Sequence, residues 1–224
     1  MKKILLLGII VAVSASCARI LDDAEYAPDY KLGAKVKTVD CYLTSGECSF
    51  DVVSNCEYKA SIIKGSEWLF FKENEDVSDI TLSGSRTLEF VFTANRGYRR
   101  SARVLLSVGG RKDTLIVKQL GAYEQIVESD TKSIMVPGEG GEYSVGINTN
   151  LLKKDFLFEV VDSKDYPLSG KADSFKYTDG VFSFRILKSE SRDDKTFVVR
   201  LYALDDWGEK VSANITITQK AGRL

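Results

Sequence analysis

Asp113-Thr114-Leu115-Ile116-Val117-Lys118-Gln119-Leu120-Gly121 decides how this chain is read. It reads as a last strand followed by a glycine stop. The pattern returns near the C-terminus as Asn214-Ile215-Thr216-Ile217-Thr218-Gln219-Lys220-Ala221-Gly222. Gln119 and Gln219 stand 100 residues apart, about one domain length. The chain therefore reads as one unit used twice, over residues 34–121 and 122–224.

Working outward from the first ending, Gly109-Gly110 is a two-residue hairpin signal ahead of the last strand. Ser101–Val108 precedes it. Further upstream, Leu88, Phe90 and Phe92 fall on one face with a period of two. Ser49–Val53, Tyr58–Ile62 and Trp68–Phe71 read as earlier strands, and Glu73–Asp79 as an acidic loop. The second copy offers Ser133–Val136, Glu142–Asn148, Phe156–Val161 and Val181–Ile186. Phe197–Ala203 and Val211–Gln219 form its closing hairpin, with Asp205-Asp206-Trp207-Gly208 at the tip. Short strands with turns at regular intervals predict an antiparallel sandwich in each copy. No stretch predicts a helix of convincing length.

Composition narrows the function. The formal net charge is −1. Residues 34–121 carry 13 Lys/Arg and 11 Asp/Glu, and residues 122–224 carry 14 and 17. Neither copy has the basic excess of a nucleic-acid binder. The chain has no histidine, so the commonest general base and the commonest metal ligand are both missing. There is no nucleophile elbow and no phosphate-binding glycine loop. No enzymatic activity, cofactor or metal is expected.

The N-terminus reads as an address. Lys2 and Lys3 precede the apolar run Ile4–Val13, too short to span a bilayer and suited to a secretory signal. Ser14, Ala15 and Ser16 are small, and Cys17 follows. This resembles the lipobox of bacterial lipoproteins, with Ser14 where leucine is commonest. The resemblance implies a signal peptide over residues 1–16, cleavage before Cys17, and lipidation of its thiol. An ordinary cleaved signal with an incidental cysteine is the other reading. Residues 17–33 then form a tether. Asp22 and Asp23 resemble the surface-export signal of Bacteroidetes lipoproteins, which implies the outer membrane and its outer face; a solvated spacer is the plain alternative. An exported chain permits disulfides. Among Cys41, Cys48 and Cys56 the pairings 41–48 and 48–56 both stand open, beside a reading as buried thiols.

Trp68-Leu69, Asn95 followed by Arg103, and the two Gln-containing endings give a family resemblance. The chain resembles tandem BACON domains of Bacteroidetes surface and secreted proteins, over residues ~34–222. The resemblance implies two tandem immunoglobulin-like antiparallel β-sandwiches, all-β, with carbohydrate as the ligand class. The second copy departs from it, with Tyr166-Pro167-Leu168 where Trp68 stands in the first.

Sugar binding uses flat aromatic rings beside polar groups. Trp207, at the hairpin tip with Asp205 and Asp206, is the first candidate, and Tyr98 the second. The opposing reading folds Trp207 back onto a sandwich edge and leaves Tyr98 an edge tyrosine. Trp68 belongs to the core. Arg96, Arg99, Arg100 and Arg103 form a basic patch that suits an acidic partner or a charged sheet edge. The expected partners are a glycan or an envelope protein, and the membrane through a lipid on Cys17. A structural spacer without a sugar site is the competing function.

Overall fold

A computed structural model describes residues 29–151 and 155–222. Cys17 and the signal segment before it lie outside the described residues. Every regular element among the described residues is a strand.

The first nine strands are β1 (Leu32–Ala34), β2 (Thr38–Cys41), β3 (Gly46–Ser54), β4 (Glu57–Lys64), β5 (Leu69–Phe71), β6 (Asp79–Ser83), β7 (Arg86–Phe92), β8 (Arg100–Val108) and β9 (Arg111–Gln119). They make two sheets, in the orders β1-β3-β7-β5 and β2-β9-β8-β4-β6. The next eight are β10 (Val127–Ser129), β11 (Ser133–Val136), β12 (Gly141–Thr149), β13 (Leu157–Val161), β14 (Ala172–Thr178), β15 (Val181–Ile186), β16 (Lys195–Leu204) and β17 (Lys210–Gln219). Their sheets are β10-β12-β15-β14 and β11-β17-β16-β13.

The second set is a four-on-four sandwich in which its first, third, sixth and fifth strands face a sheet of its second, eighth, seventh and fourth. That is the immunoglobulin strand order. The first set repeats it with β6 added beside β4. In both sets a short strand near the start pairs parallel with the last strand: β2 with β9, and β11 with β17. All other strand pairs are antiparallel.

Each sandwich has its own core, because alternate residues of facing strands point inward. Phe50, Val52, Leu88, Phe90, Val104, Leu115 and Val117 fill the first around buried Trp68. Val145, Phe182, Phe184, Phe197, Val199, Ile215 and Ile217 fill the second. The two cores form separate clusters. Burying a side chain of this size contributes roughly 1.5–3 kcal/mol, so the interiors outweigh any single surface contact.

The closing motif now has a physical cause. Gln119 is fully buried. Its Nε2 donates to the carbonyls of Thr93 (2.9 Å) and Tyr42 (3.1 Å), and its Oε1 accepts from Arg100 Nε at 2.8 Å. Gln219 is equally buried and donates to Leu187 O at 2.7 Å. Each amide ties the last strand to loop backbone that no strand partner reaches. The glycines that follow are demanded by close approach. A Cβ on Gly121 would sit 2.3 Å from Arg99 N, and one on Gly222 would sit 2.0 Å from Ser189 O.

Three details differ from the expectation. The first strand begins at Leu32, inside the stretch read as tether, where it pairs with β3. Lys31 N donates to Asn55 Oδ1 at 2.8 Å just before it. The acidic loop gives way to strand β6 at Asp79, and β14 was not foreseen at all.

Candidate functional site

Four residues were singled out as a ligand site: Tyr98, Asp205, Asp206 and Trp207. The structure brings all four to the junction between the sandwiches, and it gives each a partner within the chain.

The hairpin tip between β16 and β17 is shaped by Asp205. Its Oδ1 accepts from the N–H groups of Trp207 and Glu209, both at 2.9 Å. Gly208, at φ +79°, closes the turn by donating to Asp205 O at 3.0 Å. Short polar side chains that hydrogen-bond nearby backbone in this way set turns. The other oxygen, Oδ2, meets the guanidinium of Arg99 from the first sandwich. The Asp205 side chain is 0 % exposed. Arg99 also reaches Glu209 at 2.7 Å.

Asp206 faces the start of β8. Its carboxylate accepts from Ser101 N–H, and from Ser101 Oγ at 3.1 Å. Lys64 Nζ lies 2.5 Å from Oδ1 and also donates to Ser101 Oγ at 3.0 Å. Ser101 Oγ donates to Asp206 O at 2.8 Å as well. Burial pushes the Asp206 carboxyl up, but the hydrogen bonds from Lys64 and Ser101 outweigh it and hold the group below the usual carboxylate range.

Trp207 is half-buried rather than a free tip. Its indole N–H donates to Arg100 O at 2.9 Å. Arg99 Cζ lies 4.9 Å from the ring centroid and Lys118 Nζ lies 5.0 Å from it, both within cation–π range. The tryptophan has folded back, onto the neighbouring sandwich rather than its own. Tyr98 is half-buried too, and its hydroxyl donates to Asn150 O at 2.8 Å.

The chain that joins the sandwiches is pinned along its length. Asn95 Nδ2 donates to Leu120 O at 3.0 Å. Tyr123 N donates to Gly97 O at 3.3 Å. Asn150 accepts from Ile126 N at 2.8 Å and donates to Glu124 O at 2.9 Å. A hollow of about 330 Å³ remains beside this segment, lined by Arg99, Leu120, Tyr123, Gln125 and Val211 among others. Tyr123 stands 66 % exposed at its rim.

The basic patch divides. Arg99 and Arg100 serve the junction, Arg100 also stacking on Trp68 with Cζ 4.3 Å from the ring. Burial lowers the Arg100 pKa below its ordinary value. Arg100 and Arg103 lie in β8, which sits between β9 and β4 and is not a sheet edge. The acidic partner that the patch suits is carried by the same chain. Lys64, Ser101 and Asn150 were missed as participants. Two of the groups the hairpin tip bonds, the acceptor Arg100 O and the donor Ser101 N–H, are backbone and leave no trace in side-chain pattern.

Among the described residues no group of three or more Cys, Asp or Glu is placed to hold a metal ion. No helix among them is long and apolar enough to cross a membrane.

No family model matches the chain, and no curated protein matches it. Among solved structures, an I-band fragment of titin is similar at a TM-score of 0.35 and 15% identity, over 86% of this chain and 64% of that one. The chain thus spans just under two thirds of that fragment. A chimeric titin tandem gives 0.36 at 11% identity, over 85% of this chain and 100% of the other. A Bacteroides ovatus xyloglucanase, solved with a heptasaccharide, gives 0.34 at 14% identity, over 49% of this chain and 27% of that one. Scores this low say nothing of a ligand for this chain.

Proposed function

We propose that this protein is a non-catalytic, lipid-anchored envelope protein whose two sandwiches act as one stiff presenting or spacing unit. The observation that carries this is the engagement of the hairpin tip. The indole N–H of Trp207, the buried carboxylate of Asp205 and the carboxylate of Asp206 are all committed to β8 and Arg99. A tandem made for free hinging has little use for a buried ion pair at its joint, since interfaces between domains are ordinarily small and loosely held. The N-terminal resemblance supports an anchor at Cys17, an outer-membrane location and the cell surface. The resemblance to tandem BACON domains of Bacteroidetes agrees with a module that places something else, or is placed by something else.

A carbohydrate-binding role is the second reading. Exposed Tyr123 at the rim of the junction hollow favours it, because an aromatic face beside polar groups suits a sugar ring.

Affinity electrophoresis through polysaccharide gels, with limited trypsin digestion in parallel, separates the two. The spacing reading expects no retardation, and faster cutting near Lys118 and Lys132 in Trp207→Ala than in wild type. Retardation that disappears in Tyr123→Ala while the cutting pattern is unchanged would replace it with the sugar reading.

A further inference from the structure

Cys41 ends β2 and Cys48 lies in β3, strands that belong to opposite sheets of the first sandwich. Both side chains point between the sheets. Cys41 is buried and shares its face with Val39. Cys48 shares its face with buried Phe50 and Val52, and packs against the same core. The chain crosses from one sheet to the other in the residues between them, at the open end of the sandwich. There the two cysteines line one hollow of about 440 Å³ together with Phe92 and Gly46.

We propose that Cys41 and Cys48 are an oxidation site, a dithiol that closes to a disulfide across the two sheets. Each thiol is the main influence on the other's pKa. A disulfide needs Cβ atoms a few ångströms apart and a sulfur–sulfur bond of about 2.05 Å, and the two cysteines face the same interior space. Their mutual influence lowers the Cys41 pKa and, with burial, raises that of Cys48, so the Cys41 sulfur is favoured as thiolate. Cys56 is differently placed: its sulfur lies 3.5 Å from Ser54 Oγ and its N–H donates to that hydroxyl.

The oxidant is a small-molecule disulfide. The thiolate of the pair attacks one of its sulfurs, forms a mixed disulfide and releases one small thiolate. The second cysteine loses its proton and attacks the protein-side sulfur, which expels the second small thiolate. Two protein thiols are oxidised, one small disulfide is reduced to two thiols, and the two protons pass to the released thiolates.

Purified full-length protein is incubated with glutathione disulfide, alkylated in denaturant, and digested with trypsin and a protease that cuts after Glu47 and Asp51. The expected result is a reducible cross-link joining the peptide of residues 41–47 to that of residues 48–51, with Cys56 alkylated. Cys56→Ser keeps the cross-link. Alkylation of both Cys41 and Cys48 at the end of the incubation overturns the proposal. A cross-link that contains Cys56 overturns it equally, and because wild-type protein gives both readings, no variant has to fold for the test to fail.

Discussion

At the scale of single residues, the buried amides at the ends of the two copies set an unequal pair. Gln119 makes contacts to two loop carbonyls within 3.1 Å and receives Arg100, whereas Gln219 makes one such contact, to Leu187. Leaving a buried polar group without its partner costs about 1–3 kcal/mol, and more where a charge is involved. Gln119→Leu should therefore cost about 3 kcal/mol, and Gln219→Leu about half as much. Urea unfolding of the two variants measures both, and equal losses would mean that the Arg100 contact is without weight. The repetition of Gln and Gly was legible in the sequence because each is forced by backbone proximity. What the glutamine holds was not, since its acceptors are main-chain oxygens of a distant loop.

At the scale of elements, the strands that were read correctly are those with one face buried. β7 alternates Leu88, Phe90 and Phe92 inward and stood out at once. β6 and β14 escaped notice because they are sheet edges. β6 buries only Leu82, and β14 has no buried residue and is bent by a register shift with Ser174 at φ +56°. Both strands touch the core with only part of one face, through Ile80 and Leu82 in β6 and Phe175 and Tyr177 in β14, so their period is short and weak. The docked hairpin tip is the element that decides the joint, and it carries a pH signature. The folded-state pKa of Asp206 is lowered. Its contribution is therefore complete above the unfolded carboxylate value of about 3.9, and fades as pH falls through the lower folded value. Asp51, Asp113, Glu159, Asp173 and Asp194 are lowered too and share in the acid loss. Asp206→Asn isolates one part: urea midpoints of variant and wild type should run parallel from pH 7 to about 5 and converge below about 4. A gap that instead widens in acid would contradict the ion pair with Lys64.

At the scale of the molecule, two copies of one strand order with separate cores were legible from the doubled ending. The candidate site was legible only as an unusual cluster. Trp207 beside two aspartates marks a place where something binds, but composition alone does not say whether the partner is a sugar or the next sandwich. The partner backbone lies more than a hundred residues earlier in the chain. The anchor proposed at Cys17 makes a separate prediction. Expressed in a lipoprotein-processing bacterium with a labelled fatty acid, wild-type protein should carry label and sediment with membranes, while Cys17→Ala should lose the label. Equal labelling of both would move the lipid elsewhere.

The parallel pairing of β2 with β9 and of β11 with β17 has a mechanical consequence. A force drawing the start and end of a sandwich apart pulls two parallel neighbours in opposite directions along their lengths. Their cross-strand hydrogen bonds are then loaded together, in shear, where an antiparallel pair pulled from its open ends would unzip one bond at a time. A chain held at its head and tugged at its tail meets that resistance twice, once in each sandwich.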